Sequence, residues 1–258
     1  MHSIAAPIDR PFARARRDDS PRDLFAAGGV KGAWFESDWR NCDQTPTPSA
    51  AVTASGDPVG YLADLSGNGN HLFSDGTGDR FTAALRDGRR VIRSDGSASK
   101  LRNTGLPAMS AVGVLCIGAY VPTPAVATDT LVHLAAATAA DSEAALVSRT
   151  VQDDVRMDIR TTATIRSQFP DTDDAWAVYT FILESGNTSA RANGLELLAW
   201  QDTFPTSDIT ALALGATTAG ADHSIFDLSS LVLCETTLSA ALLDRLERYT
   251  AGRMGIVL

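Results

Sequence analysis

Cysteine is scarce in this chain, and what there is does not pair. Cys42, Cys116 and Cys234 are an odd number at wide spacing, so no complete disulfide framework can be written. No two of them stand as Cys-x-x-Cys, which removes the usual zinc signature. Lysine is scarcer still, at Lys31 and Lys100 only, and every other basic side chain is an arginine. With a net charge of −9 the chain is a poor match for nucleic acid, whose phosphates are held by clustered Lys and Arg. Long apolar runs are missing too. None approaches the roughly 18 residues of a membrane helix, and no apolar h-region opens the sequence. The product is expected to be made in the cytoplasm, with no membrane insertion. There is no P-loop, no G-x-G-x-x-G and no G-x-S-x-G. His2, His71, His133 and His223 stand singly and are not spaced as metal ligands.

What is present is enough for a core. The 258 residues are 44% hydrophobic and 21% charged, the balance of an ordinary globular chain, and β sandwiches reach this length as one unit. Short strand patterns separated by turn residues run from Ala33 onward, including Arg89 to Arg93, Thr130 to Ala136, Ala144 to Thr150 and Leu195 to Trp200. Val112 to Val121 is apolar nearly throughout and Ala175 to Leu183 is rich in aromatic and β-branched residues, so both are expected inside the sheets. Val155 to Ile165 alternates in part and reads as one strand with a solvent face. No helix-length segments separate the strands, which favours an antiparallel sandwich over a doubly wound sheet. The exception is the end. Ser239 is a fitting N-cap, Leu242, Leu243, Leu246 and Tyr249 form a helical stripe, and Gly252 supplies a stop. This helix is expected to pack near residues 24 to 35.

The segment from Asp57 to Phe73 has the most distinctive chemistry. Two short apolar runs, Val59 to Leu62 and Leu72-Phe73, flank Ser66-Gly67-Asn68-Gly69-Asn70, whose residues accept positive φ easily. Asp64 then reads as a turn organiser, accepting backbone N–H groups. A competing reading makes Asp64, Asn68, Asn70 and His71 a polar rim for a sugar or a Ca²⁺ ion, since hard cations take carboxylate and amide oxygens. An aromatic platform would complete a sugar site. Trp39 lies in the polar loop Asp38-Trp39-Arg40-Asn41 and is expected to be exposed, whereas Trp34, Trp176 and Trp200 sit in apolar runs and are expected in the core.

The same segment resembles the "D-x-SGNGNH" stretch of concanavalin A-like, laminin-G-type jelly-roll domains in structural proteins of tailed phages and related particles. Asp23 to Phe35, reading DLFAAGGVKGAWF, resembles the opening of those domains. Arg93 to Gly96, Leu212 to Ala216 and the closing helix follow in the matching order, so the resemblance spans roughly residues 23 to 258. It implies an all-β, two-sheet antiparallel jelly roll and a non-enzymatic virion component, a head spike or fibre or a tail fibre, presented as a homo-oligomer on the particle surface. Host-surface polysaccharide would be the ligand, with Trp39, Asn68, Asn70 and His71 as binding residues.

Residues 1 to 22 differ in kind. Pro7, Pro11 and Pro21 interrupt them, arginines alternate with aspartates, and no apolar face recurs. This reads as an extended arm, either a disordered tail or a docking segment that becomes ordered on a partner protein, and the resemblance implies attachment to a capsid or tail protein through Arg10, Phe12, Arg14, Arg16 and Arg17. The alternative function is a laminarinase-like glycoside hydrolase, which needs paired carboxylates roughly 5–5.5 Å apart, supplied there as E-x-D-x-x-E. Here the matching segment is Glu36-Ser37-Asp38 with Asn41 in the third position, so the pattern breaks where the chemistry needs an acid. Ser97-Ala98-Ser99-Lys100 matches S-x-x-K by letter only, in a turn region without K-T-G.

Overall fold

A computed structural model describes residues 20–26, 29–109, 113–122, 129–136, 143–149, 155–160, 164–169, 174–184, 187–200 and 208–258. Residues 1 to 19, with Arg10, Phe12, Arg14, Arg16 and Arg17 of the expected arm, lie outside the described residues.

In chain order, α1 (Arg22–Ala26) leads to β1 (Gly32–Glu36), β2 (Cys42–Asp43), β3 (Pro58–Val59), β4 (Tyr61–Leu62) and β5 (Leu72–Phe73). There follow β6 (Phe81–Arg86), β7 (Arg89–Asp95), β8 (Leu101–Asn103), β9 (Val114–Val121), β10 (Asp129–Ala136), β11 (Glu143–Arg149), β12 (Val155–Arg160) and β13 (Thr164–Phe169). The chain closes with β14 (Ala175–Glu184), β15 (Asn187–Ala192), β16 (Leu195–Trp200), β17 (Ile209–Leu214), β18 (Ile225–Cys234) and α2 (Ala240–Met254).

Among the described residues the strands form two nine-stranded antiparallel sheets, the jelly-roll sandwich that the strand pattern implies. The back sheet runs β16-β15-β14-β9-β18-β7-β6-β3, with β1 also on β18, and the front sheet runs β13-β12-β11-β10-β17-β8-β5-β4-β2. β9 and β14 are interior to the back sheet, as their composition predicts. Alternate residues of both sheets meet between them: Phe35, Ile117, Tyr179, Phe181 and Leu231 from the back, Leu62, Leu72, Leu101, Val132 and Leu212 from the front. Gly60 is where the chain crosses from β3 in the back sheet to β4 in the front sheet. A Cβ there would lie 2.9 Å from the Gln44 carbonyl oxygen, so the crossing requires glycine.

α2 covers part of the outer surface of the back sheet. Leu243, Leu246, Tyr249 and Met254 bury against Trp34, Cys116, Val178 and Val232, and Trp34 meets Tyr249 edge to face at 6.3 Å. Ser239 caps the helix, its Oγ accepting from Leu242 N at 3.4 Å. The helix does not stop at Gly252 but continues to Met254, because Gly255 takes the left-handed conformation (φ 71°) that closes it. A second expectation is also revised. Val155 to Ile165 is not one strand but parts of a hairpin, with Ile159 opposite Ile165. All three cysteines are buried free thiols.

Candidate functional site

Asp64 is a turn organiser that also seals a strand edge. β1 pairs with β18 on one side only, and its other edge would leave backbone groups bare. The loop after β4 supplies the partners. Asp64 Oδ1 accepts from Trp34 N and Ser66 N, each at 2.9 Å, while Oδ2 accepts from Ser66 Oγ and Asn70 N, each at 2.8 Å. The Asn70 side chain donates to Gly32 O at 2.6 Å, and that of Asn68 donates to Val30 O and Gly32 O at 3.0 and 3.1 Å. Gly67 and Gly69, with φ of 89° and 75°, let the loop curl around the carboxylate. Four donors occupy the oxygens of Asp64, so the carboxylate has no lone pair turned to a Ca²⁺ ion. No group of three or more His, Cys, Asp or Glu among the described residues is arranged to hold a metal.

The four residues expected to make a sugar rim are therefore not brought together on one surface. Trp39 is buried, only 6% exposed, instead of forming an exposed platform. Its ring belongs to the core, its Nε1 donates to Val91 O at 3.3 Å, and the Arg90 guanidinium lies 5.0 Å over it. A short 3-10 turn, capped by the Asp38 side chain, keeps the polar neighbours of Trp39 outside while rolling the indole inward. Asn70 is buried as well, and Asn68 is exposed with its amide committed to the β1 edge. His71 alone stands on an open aromatic surface. Its Nδ1 accepts the Asp64 N–H at 3.0 Å, which fixes the ring against the loop.

That surface lies on the outer face of the front sheet. Leu62 and Leu72 point into the core, so their neighbours Tyr61 and Phe73, directly opposite one another, point out. The Tyr61 ring is 5.2 Å from His71 and 5.5 Å from Phe73, and His71 meets Phe73 at 6.5 Å. Burial, with the Asp64 and Asp43 carboxylates nearby, pushes the Tyr61 phenol above its ordinary value of 10.0 and keeps it a neutral hydrogen-bonding group. Across from Phe73 on its other side is Arg102 of β8. His71, Phe73 and Asp75 follow at two-residue spacing, and Asp75 bonds Arg102 Nε at 2.8 Å and Lys100 Nζ at 2.7 Å. Burial raises the Asp75 pKa, but the hydrogen bonds from Lys100 and Arg102 outweigh it and hold the carboxyl below its ordinary 3.8. The result is a cross of side chains: Tyr61, Phe73 and Arg102 across the strands, His71, Phe73 and Asp75 along one.

Beyond α2, the outer face of the back sheet carries a second aromatic pair. Tyr120 and Trp176 meet at 5.8 Å, so Trp176 is half-buried at the surface and not in the core, with Nε1 donating to Asp87 at 3.0 Å. Here the Arg86 guanidinium lies 3.7 Å over the Tyr120 ring and occupies the face a sugar would need. A cavity of about 220 Å³ sits elsewhere, between α1 and α2, with a mostly apolar wall that includes Leu24, Val30, Leu242 and Leu246.

No family model matches this chain, and no curated protein sequence matches it. Solved structures do. A GH54 α-L-arabinofuranosidase soaked with a cyclic sulfate inhibitor superposes with a TM-score of 0.66 at 10% identity, covering 90% of this chain and 65% of that one. The serotype D botulinum neurotoxin ligand-binding domain, in complex with N-acetylneuraminic acid, gives 0.57 at 10%, covering 82% and 51%. A Trypanosoma rangeli sialidase in complex with sialic acid gives 0.59 at 12%, covering 89% and 34%. This chain spans less than two thirds of the length of each. At such identities the likeness establishes the sandwich fold.

The carboxylates of the hydrolase motif are each engaged by neighbouring side chains. Glu36 is buried under α2, where it accepts from the Tyr249 hydroxyl and lies 3.4 Å from Arg253 Nη1. Asp38 is engaged by Arg40 and Arg90. Tyr61, Phe73 and Arg102 carry no sequence signal of function of their own because strands of two or three residues give too short an alternation to show which side chain faces out. The signal lay in their neighbours, Leu62, Leu72 and Leu101, as core candidates.

Proposed function

We propose that this chain is a non-enzymatic carbohydrate-binding β sandwich, and that sugar rests on the outer face of the front sheet against Tyr61, His71 and Phe73. The observation that carries the reading is the aromatic shelf itself. Sugar rings present C–H faces that stack on aromatic rings, and the shelf combines two such rings with a histidine and ionised groups at its rim. The structural neighbours include a binding domain holding N-acetylneuraminic acid and a sialidase holding sialic acid, which fits a fold suited to sugars. Affinity electrophoresis through gels containing bacterial capsular and plant polysaccharides tests it. Retardation by at least one polysaccharide, lost in Tyr61→Ala/Phe73→Ala, is the expected result, and equal retardation of wild type and variant refutes the location.

Display on a tailed-phage or phage-like particle, as a homo-oligomer anchored to a capsid or tail protein by Arg10, Phe12, Arg14, Arg16 and Arg17, is the finer form of this proposal. It rests on the sequence resemblance and the composition of residues 1 to 22. Deleting residues 1 to 19 is expected to abolish incorporation into particles while sugar binding persists. The hydrolase alternative keeps its support from the arabinofuranosidase likeness. Release of reducing ends by the purified chain, abolished by Glu36→Gln, would establish it in place of the binding function.

A further inference from the structure

We propose that the Tyr61 and Phe73 shelf takes sugars bearing a carboxylate, with Arg102 as the residue that recognises the charge. This inference rests on reading the shelf as a sugar-binding surface. Phe73 and Arg102 are direct cross-strand partners, which places their Cβ atoms about 4.5–5.5 Å apart. A ring stacked on Phe73 therefore has a guanidinium at its edge. Arg102 is held by two bonds, Nε to Asp75 Oδ1 at 2.8 Å and Nη1 to Thr218 O at 2.5 Å. Nη2 makes no bond among the described residues, and the side chain is 32% exposed. An arginine with two nitrogens tied and the third still able to donate is a preorganised donor to a carboxylate, because little rotamer freedom remains to be lost on binding.

The local charge agrees. Lys100 and Arg102 share the single carboxylate of Asp75, so two positive charges and one negative stand together at the Arg102 end of the shelf, while the Asp64 and Asp43 carboxylates lie at the Tyr61 end. Lys100 is nearly buried, its ammonium close under Gly220, so the accessible part of the positive charge is on Arg102. The other acid on this row is Asp43, opposite Tyr61 at the far end. Its oxygens accept from Thr45 N, Thr45 Oγ1 and Ala50 N, which ties that carboxylate to its own loop.

Two matched pairs of probes test the proposal by calorimetry: 3′-sialyllactose against lactose, and oligogalacturonate against its methyl ester. At low salt the acid of at least one pair is expected to bind about tenfold more tightly than its uncharged partner, the size of one charge-assisted hydrogen bond. The preference should shrink as ionic strength rises. Arg102→Gln should lower affinity for the acid more than for the neutral sugar, and Arg102→Lys should retain part of the preference. If Arg102→Gln does not fold, the comparison of acid with neutral probe and its salt dependence in the wild type decide. Equal affinity within both pairs overturns the proposal and leaves the sugar-binding surface standing. No binding of any probe or of any screened polysaccharide overturns both.

Discussion

Replacing Asp64 by alanine removes one carboxylate and, with it, four hydrogen bonds, one from Trp34 N on the edge of β1 and three that hold the loop after β4 in shape. The cost follows from which donors are stranded. Trp34 N and Asn70 N belong to buried residues and donate to Asp64, so leaving each without that acceptor costs about 1–3 kcal/mol. The Ser66 N–H and hydroxyl are half-buried and can turn to water, adding little. The expected destabilisation is about 2–6 kcal/mol, a large share of the ~5–15 kcal/mol that holds an ordinary domain together. Asp64→Asn separates shape from chemistry. It preserves volume but turns an NH₂ group toward two of the four donors, so at least half of the loss should remain. Urea unfolding followed by tryptophan fluorescence measures both variants, with an unchanged m-value expected. A loss below about 1 kcal/mol for Asp64→Ala would mean that water satisfies the β1 edge and that the loop is no seal.

Gly118 of β9 lies against α2, and an added Cβ would lie 2.6 Å from Thr250 Cγ2 and 3.2 Å from the Met254 side chain. Gly118→Ala is therefore expected to lower stability by about 1–3 kcal/mol in the same assay. Burial pushes the thiols of Cys42 and Cys116 up to about 12 and that of Cys234 up to about 11. A thiol reagent at pH 8 should accordingly label none of the three until denaturant is added, and then all three. For Asp38, burial raises the pKa but bonds from Arg40 and Arg90 prevail and lower it to about 2, and bonds from Ser97, Ala98 and Ser99 likewise lower Asp95 against its burial. These groups hold their protons less tightly folded than unfolded, so their stabilisation is complete above the ordinary value of 3.8 and is lost as pH falls through the folded values. Stability should be level from pH 7 to about 5 and fall below 4, less steeply in Asp38→Asn.

The sandwich was legible because its long strands carry their own evidence: the apolar run around Val114–Val121 and the aromatic pattern of Ala175–Glu184 permit only interior positions. The helix was legible from Ser239 and its stripe, though Gly252 was the wrong stop, since a glycine can be carried within a helix when a later one takes the left-handed turn. The clip around Asp64 is legible as turn chemistry, yet its target, Trp34 N on the edge of β1, is 30 residues away and has no local signature. Trp39 failed for a related reason. A polar neighbourhood in sequence says nothing of an indole that a single 3-10 turn rotates into the core. The shelf was hidden by brevity: β4 and β5 are two residues each, and only the crossing at Gly60 and the pairing of Tyr61 with Phe73 reveal that these rings share an outer face.

Carbene footprinting with the tightest-binding oligosaccharide tests the sugar-binding surface most directly, because it maps the contact without altering a residue. The account predicts protection of Tyr61, His71, Phe73 and Arg102 on saturation, with labelling at Tyr120 and Trp176 unchanged. Protection of Tyr120 and Trp176 with the front-sheet residues unaffected would contradict it.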